Sequence, residues 1–251
     1  MEVENVTPYH NGAERKSEQV EEMFDSIAPA YDFMNGMMTF GLCRWWRNLA
    51  LRHAGKRLEG RRPERILDVA TGTGDVAFRL AHLYPDAEVR GIDLSEGMLT
   101  LARRKKDQLP QAKSSRLWFE KGDSLDLPFA DNSFDLLTVA YGVRNFEHLD
   151  RGLREMWRVL KPGGAICIVE LSEPRTQPVK SMYRLYSRHI IPALGRMISG
   201  DSYAYKYLPE SIAACPQRHD MTRLMTDAGF SDAKWKSLTS GVVTIYTALR
   251  T

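Results

Sequence analysis

The sequence is short of several things, and each shortage excludes a class of protein. Only three cysteines (Cys43, Cys167 and Cys215) occur in 251 residues, odd in number and far apart. That excludes a disulfide framework and a Cys-x-x-Cys centre. No apolar run approaches the ~18 residues of a membrane span. The first residues, MEVENVTPYHNGAERK, have no apolar stretch of the kind a secretory signal carries. Neither sign of charge dominates: Lys+Arg 35 against Asp+Glu 32 leaves +3, which argues against a nucleic-acid-coating protein. The six histidines show no metal-ligand spacing, so no metal is expected. G-x-S-x-G is missing too, which removes one hydrolase nucleophile motif. With 43% hydrophobic residues the chain can bury a sizeable core in one elaborated domain or two small ones. The expectation is a cytoplasmic enzyme.

What is present is a strand–helix rhythm. RILDVAT (65–71) is an apolar run ending in a glycine turn, as in a strand buried on both faces. EVRGIDL (88–94), LWFEKGD (117–123), FDLLTVAYG (134–142) and AICIVEL (165–171) supply four more strands. Between them lie amphipathic stretches, with Asp75, Ser95 and Asp150 as candidate helix caps and Lys161-Pro162-Gly163-Gly164 as a stop. Residues 233–250 read as two strands around Ser240-Gly241. This predicts a doubly wound α/β sheet, mostly parallel, with a C-terminal antiparallel hairpin. The sheet core is expected over 64–173 and 220–250. Residues 1–16 read as a flexible tail. Two segments stand outside the rhythm: a helical cap over 17–60, its spacing broken at Pro29 and Gly36, and an insertion over 174–219. Four of the 11 methionines fall between residues 23 and 38, and five of the ten tyrosines between 183 and 207. Such residues fill gaps in a helical core, or they form an adaptable wall for an apolar ligand.

The chemistry gathers at strand ends. Asp68-Val69-Ala70-Thr71-Gly72-Thr73-Gly74 closes the first strand, where a doubly wound sheet places its ligands. Gly72 and Gly74 admit a close backbone approach, but a dinucleotide site would use them equally. Asp68 tips the balance, since a carboxylate there repels a pyrophosphate and attracts an ammonium or sulfonium. Asp93 ends the second strand and can accept ribose hydroxyls; Asp123 and Ser124 end the third, within reach of an adenine amine. Each alone reads as a helix cap. Three acids around one glycine turn do not.

This order of motifs resembles the class I S-adenosylmethionine-dependent methyltransferases. More specifically, Tyr31-Asp32-x-Met34-Asn35, Gly142-Val143-Arg144-Asn145, Arg158-Val159-Leu160-Lys161-Pro162-Gly163-Gly164 and Tyr186-Ser187-x-His189-Ile190-x-Pro192 resemble the quinone-biosynthesis C-methyltransferases, in family order from about residue 17 to 249. The resemblance implies a seven-stranded Rossmann-like sheet and S-adenosylmethionine as methyl donor, contacted by Thr73, Asp93, Asp123 and Ser124. The implied substrate is a polyprenyl quinol: demethylmenaquinol, or alternatively a methoxy-polyprenyl-benzoquinol. Two positions depart from it. Ala140 stands where some members have a cofactor-touching serine, and Cys43 replaces a usual histidine.

Carbon methylation of a quinol needs its oxygen charge stabilised, and an always-protonated Arg144, with Asn145 orienting the ring, suits that task. The competing reading of Arg144 is an ion pair with Glu147. Tyr31 and His189 are the candidates for proton handling or ring orientation; a helix histidine with a local partner is the bland reading of His189. Residues 20–53 and 175–219 are expected to form a lid and an apolar tunnel. The basic run Arg103-Arg104-Lys105-Lys106 reads as a solvated helix face, or as a contact to anionic lipid on the inner membrane face. A homodimer is compatible with all of this. A dinucleotide oxidoreductase, a non-catalytic nucleotide-binding module and a nucleic-acid methyltransferase are the remaining readings. The last is disfavoured, since no Asn-Pro-Pro-Tyr-type motif follows the fourth strand.

Overall fold

The computed structural model describes residues 3–9, 14–190 and 202–251. Strands β1 (Arg65–Val69), β2 (Glu88–Asp93), β3 (Leu117–Lys121), β4 (Phe134–Ala140), β5 (Leu160–Leu171), β6 (Ser231–Leu238) and β7 (Val243–Leu249) form one sheet in the order β3-β2-β1-β4-β5-β7-β6. The first five pair in parallel; β7 runs antiparallel between β5 and β6. The order reverses between β1 and β4, which opens a crevice at their carboxyl ends.

Alternation along the central strands decides which helix packs where. Ile66 and Leu136 face one side, against α2 (Leu42–Arg57), α3 (Asp75–Leu83) and α4 (Glu96–Asp107) through Ala54, Ala77, Leu80 and Leu99. Leu67, Leu137 and Val139 face the other, against α6 (Leu149–Val159) and α9 (His219–Asp227) through Leu153, Met156, Met221 and Met225. A short α5 (Gln111–Ser114) precedes β3. A third cluster joins α1 (Lys16–Met38) to α8 (Ser202–Ala214), with Met23, Ile27 and Met34 against Tyr205 and Tyr207. With α7 (Val179–Leu185), these helices cover the carboxyl end of the sheet.

Several local expectations are corrected. Helix α1 runs through Pro29 and Gly36 without a break. Ile27, Ala28 and Met34 are buried around the proline, and their packing outweighs its cost of roughly 3 kcal/mol. Ser95 does cap α4, accepting from the Met98 amide at 3.1 Å. Asp75 and Asp150 do not cap: Gly74 and His148 hold those positions, and both acids lie inside the first turn, where the helix dipole favours them. The Lys161–Gly164 stretch belongs to β5, because the Gly163 amide and the Gly164 carbonyl pair with Arg250 beyond β7. Nor is the amino-terminal segment loose throughout. Val3 and Val6 are buried, and Lys16 Nζ donates to the Val3 carbonyl at 2.5 Å.

Candidate active site

The turn after β1 is held from below. Asp68 is buried and accepts from Thr71 Oγ1 and Thr138 Oγ1, each at 2.6 Å. Thr138 faces it directly in the β1–β4 register. Both carboxylate oxygens are therefore engaged beneath the glycines, and Asp68 does not line the cavity above them. The expected direct contact is replaced by a supporting role: burial raises its pKa to about 6 despite the two hydroxyls. Gly72 and Gly74 adopt φ of 57° and 85°, the left-handed region that an L side chain enters only with strain. A Cβ on Gly72 would meet nothing within 4 Å, so the glycine leaves an open cradle.

Above that turn lies a cavity of about 730 Å³, lined by Gly72, Asp93, Ser95, Met98, Asp123, Ser124, Ala140 and Asn145. Asp93 accepts from the Gly72 amide (2.7 Å) and the Ser95 amide (3.0 Å), which fixes its plane across the turn. Burial raises its pKa to about 6, against the pull of those amides. Asp123 Oδ1 accepts from the Leu125 amide at 2.8 Å. Strand-end carboxylates, one open glycine and a neighbouring hydroxyl match the ribose, backbone and amine of an adenosyl group. Ser17, Val20, Glu21 and Phe24 of α1 roof the cavity, a contribution that no local sequence signal marks. Thr73 faces away from it: its hydroxyl donates to Asp32 at 2.6 Å and accepts from Lys105 Nζ at 3.0 Å.

A second cavity of about 1050 Å³ adjoins the first; Phe24, Tyr31 and Tyr141 line both. Its walls are mostly apolar and come from both segments outside the strand–helix rhythm. Met23, Met34, Met38 and Trp46 come from the first segment, Tyr183, Tyr186, Tyr205 and Leu208 from the second. Cys43 is a buried free thiol in this wall. Two arginines line this cavity, Arg47 and the more deeply buried Arg144, whose Nη1 lies 2.9 Å from Glu170 Oε1 and also donates to the Tyr141 carbonyl. Burial works most strongly against the Arg144 charge, but the Glu170 carboxylate together with Tyr31 and Tyr207 more than offsets it and raises the pKa. The ion-pair partner is thus Glu170 of β5; Glu147 accepts instead from Ser17 Oγ at 2.9 Å. Asn145 Oδ1 accepts from Tyr207 Oη at 3.2 Å. Burial raises the Tyr31 pKa, so this phenol keeps its proton. His189 lies in the helical turn Tyr186–Ile190, and its side chain is outside the described residues.

The structure thus brings Gly72, Asp93, Asp123, Ser124, Asn145 and Tyr31 to one cavity, and Arg144 with Tyr31 to the next. Glu170 had a signal in the sequence, being a fourth acid at the carboxyl end of a core strand, hidden in an apolar run.

A sheet of this order, with acids on its first three strand ends around a glycine turn, is that of a class I methyltransferase. Solved structures agree on the fold. The [4+2]-cyclase SpnF superimposes with a TM-score of 0.67 at 19% identity, covering 93% of this chain and 96% of that one. Phosphoethanolamine N-methyltransferase 2 of Haemonchus contortus, solved with S-adenosyl-L-methionine, gives 0.60 at 17% identity, covering 81% and 52%. The profile of the ubiE/COQ5 methyltransferase family matches residues 12–250, and the chain belongs to that family. The demethylmenaquinone methyltransferase of Bacteroides fragilis is 45% identical over 247 residues, 98% of each chain. That of Porphyromonas gingivalis is 44% identical over 98% of each. A relative from Geobacter sulfurreducens, a ubiquinone/menaquinone biosynthesis C-methyltransferase UbiE, is 42% identical over 92% of this chain and 88% of its own.

Proposed function

We propose that this protein methylates a ring carbon of demethylmenaquinol, with S-adenosylmethionine as the donor. The observation that carries the reading is the pair of adjoining cavities: an acid-rich one over the glycine turn and a larger apolar one holding a buried arginine. The names and near full-length coverage of the Bacteroides and Porphyromonas relatives support the naphthoquinol as substrate.

S-adenosylmethionine supplies an electrophilic methyl on a sulfonium. The chain's own residues do the rest. Asp93 takes the ribose hydroxyls, while Asp123 and Ser124 take the adenine end. Phe24, Tyr31 and Tyr141 form the boundary across which the methyl passes, and orientation of this kind can lower a barrier by about 7–11 kcal/mol. A phenolic hydroxyl titrates near ~10, so a quinol at neutral pH needs a cation to favour its ionised, carbon-nucleophilic form. Arg144 provides it in a water-poor chamber where the charge is weakly screened. Asn145 lines the acid-rich cavity and not the apolar one, but Tyr207 of the apolar wall holds its Oδ1, which seats it at the boundary between them; Tyr31, which lines both, stays a hydrogen-bond donor toward the ring.

The prenyl tail leaves through the apolar cavity toward a lipid surface. Tyr186 Oη donates to the Met38 carbonyl at 2.7 Å in the cavity wall, and next to wall residues in the chain Phe40, Trp45, Met182 and Leu185 are exposed. Among the described residues no helix is long and apolar enough to cross a membrane; these exposed apolar side chains are what this reading offers to a lipid surface. By contrast, the basic run is largely engaged within the chain. Arg103 pairs with Glu96, Lys105 with Asp32 and Asp75, and Lys106 lies over the Trp118 ring.

The test is incubation of the purified protein with S-adenosylmethionine and reduced demethylmenaquinone, or the reduced methoxy-polyprenyl-benzoquinone, followed by mass analysis. One methyl added to the naphthoquinol supports the reading. Methylation of the benzoquinol alone transfers the assignment to ubiquinone-type chemistry, and methylation of neither overturns it.

A further inference from the structure

Tyr141 falls between the last residue of β4 and Gly142, and reading the sequence assigns it no task. Its backbone is unusual. φ is 59°, a region that a residue bearing a Cβ occupies at a cost and keeps only where its surroundings fix it. Three contacts fix it here. The Tyr141 amide donates to the Val169 carbonyl at 2.8 Å, Arg144 Nη1 donates to the Tyr141 carbonyl, and Gly142 packs so closely that a Cβ there would come within 2.6 Å of Ala70 Cβ.

The side chain so positioned forms part of the wall between the two cavities, and its hydroxyl is buried with no hydrogen-bond partner among the described residues. A buried hydroxyl without a partner is costly, and where one persists at a cavity it marks a place for a ligand atom. The charged and polar groups that act on it are Arg47, Cys43, Glu170 and Tyr31. Of these, Cys43 and Arg47 line the apolar cavity and not the acid-rich one. The hydroxyl therefore belongs to the quinol side of the wall. Burial raises its pKa, so it is a donor at neutral pH.

We propose that the Tyr141 hydroxyl donates a hydrogen bond to a ring oxygen of the quinol, and so helps set which carbon faces the methyl group. The assignment rests on the quinol reading above and adds an orienting residue that contacts the substrate.

Tyr141→Phe removes this one oxygen and keeps the ring. Loss of one such bond raises the quinol KM about tenfold, leaves S-adenosylmethionine affinity within experimental error by titration calorimetry, and leaves the Tm unchanged or higher because an unsatisfied hydroxyl has gone. A variant with wild-type quinol KM, beside a wild-type enzyme that methylates the quinol, overturns the assignment alone. So does weakened S-adenosylmethionine binding with an unchanged quinol KM, which would place the hydroxyl on the cofactor. A lower Tm with unchanged kinetics would make it structural and equally overturn the proposal. A wild-type enzyme inert toward the quinol removes the parent reading and this assignment together.

Discussion

Arg144 and Glu170 form an ion pair sealed inside the protein, Nη1 2.9 Å from Oε1, with both side chains almost wholly buried. Glu170 also accepts from the Leu171 amide at 2.8 Å, so the carboxylate is itself held in place. Removing one partner of a buried pair leaves an uncompensated charge. Glu170→Ala is expected to lower unfolding free energy by about 3–5 kcal/mol. Glu170→Gln, which keeps an acceptor, loses less. On the proposed reading Arg144 stabilises the developing quinolate, and Arg144→Ala is then expected to lower kcat on the order of 100–1000-fold. Denaturant unfolding and single-turnover methylation check these, with S-adenosylmethionine affinity expected to stay unchanged in Arg144→Ala.

Asp93 links cofactor affinity to pH. On the proposed reading its carboxylate accepts the ribose hydroxyls and must be ionised to do so, and burial has raised its pKa to about 6. Affinity for S-adenosylmethionine is then flat above neutrality and falls by up to about tenfold per pH unit below 6. Stability moves the other way. A folded pKa above the usual carboxylate value means that the stabilising contribution is full in acid and is lost as pH rises through about 6. Asp68 has the same shift, but lies beneath the turn and adds only to the stability trend. Titration calorimetry and thermal unfolding between pH 5 and 8 separate the two slopes. Asp93→Asn should bind weakly at every pH and flatten the first.

The glycine turn and the acids on three strand ends were legible because buried parallel strands read as apolar runs and their ends follow directly. Side-chain direction was not. Asp68 lies one residue short of the end of β1, where it meets Thr138 across the ladder instead of the cavity. The partner of Arg144 was sought nearby at Glu147, whereas pairing of β4 with β5 delivers Glu170 from 26 residues away. Tertiary packing likewise hid the continuity of α1 through Pro29. The Met- and Tyr-rich segments, by contrast, announced an apolar wall by composition alone, without showing which residues meet.

Lys105 ties the cap to the glycine turn. Its Nζ lies 2.7 Å from Asp32 on α1, 3.0 Å from Thr73 in the turn and 3.1 Å from Asp75 on α3, while Arg47 of α2 holds the other Asp75 oxygen at 2.8 Å. These groups are partly exposed, so Lys105→Met is expected to cost no more than about 1 kcal/mol of stability. The larger effect falls on function, because α1 roofs the cavity over the glycine turn, where the proposed reading seats the adenosyl group. The KM for S-adenosylmethionine should rise severalfold in the variant. High salt should reproduce part of that rise in the wild type and none in the variant, as steady-state kinetics in graded salt would show.

The rim of the apolar cavity makes a separate prediction about lipid. Phe40 is 84% exposed and Met182 67%, and the Phe40 ring lies 6.4 Å from that of Tyr186 in the cavity wall. Contact driven by burial of such side chains is insensitive to salt, whereas attraction of a basic run to anionic lipid is screened within about 10 Å at 0.1 M. Vesicle co-sedimentation is therefore expected to persist in high salt and to be lost in a Phe40→Asp, Met182→Asp double variant. In that variant the KM for a long-chain quinol presented in vesicles rises, and the KM for a short-chain, water-soluble quinol does not. Binding that disappears with salt and survives the double substitution would move the contact from the rim to the basic face.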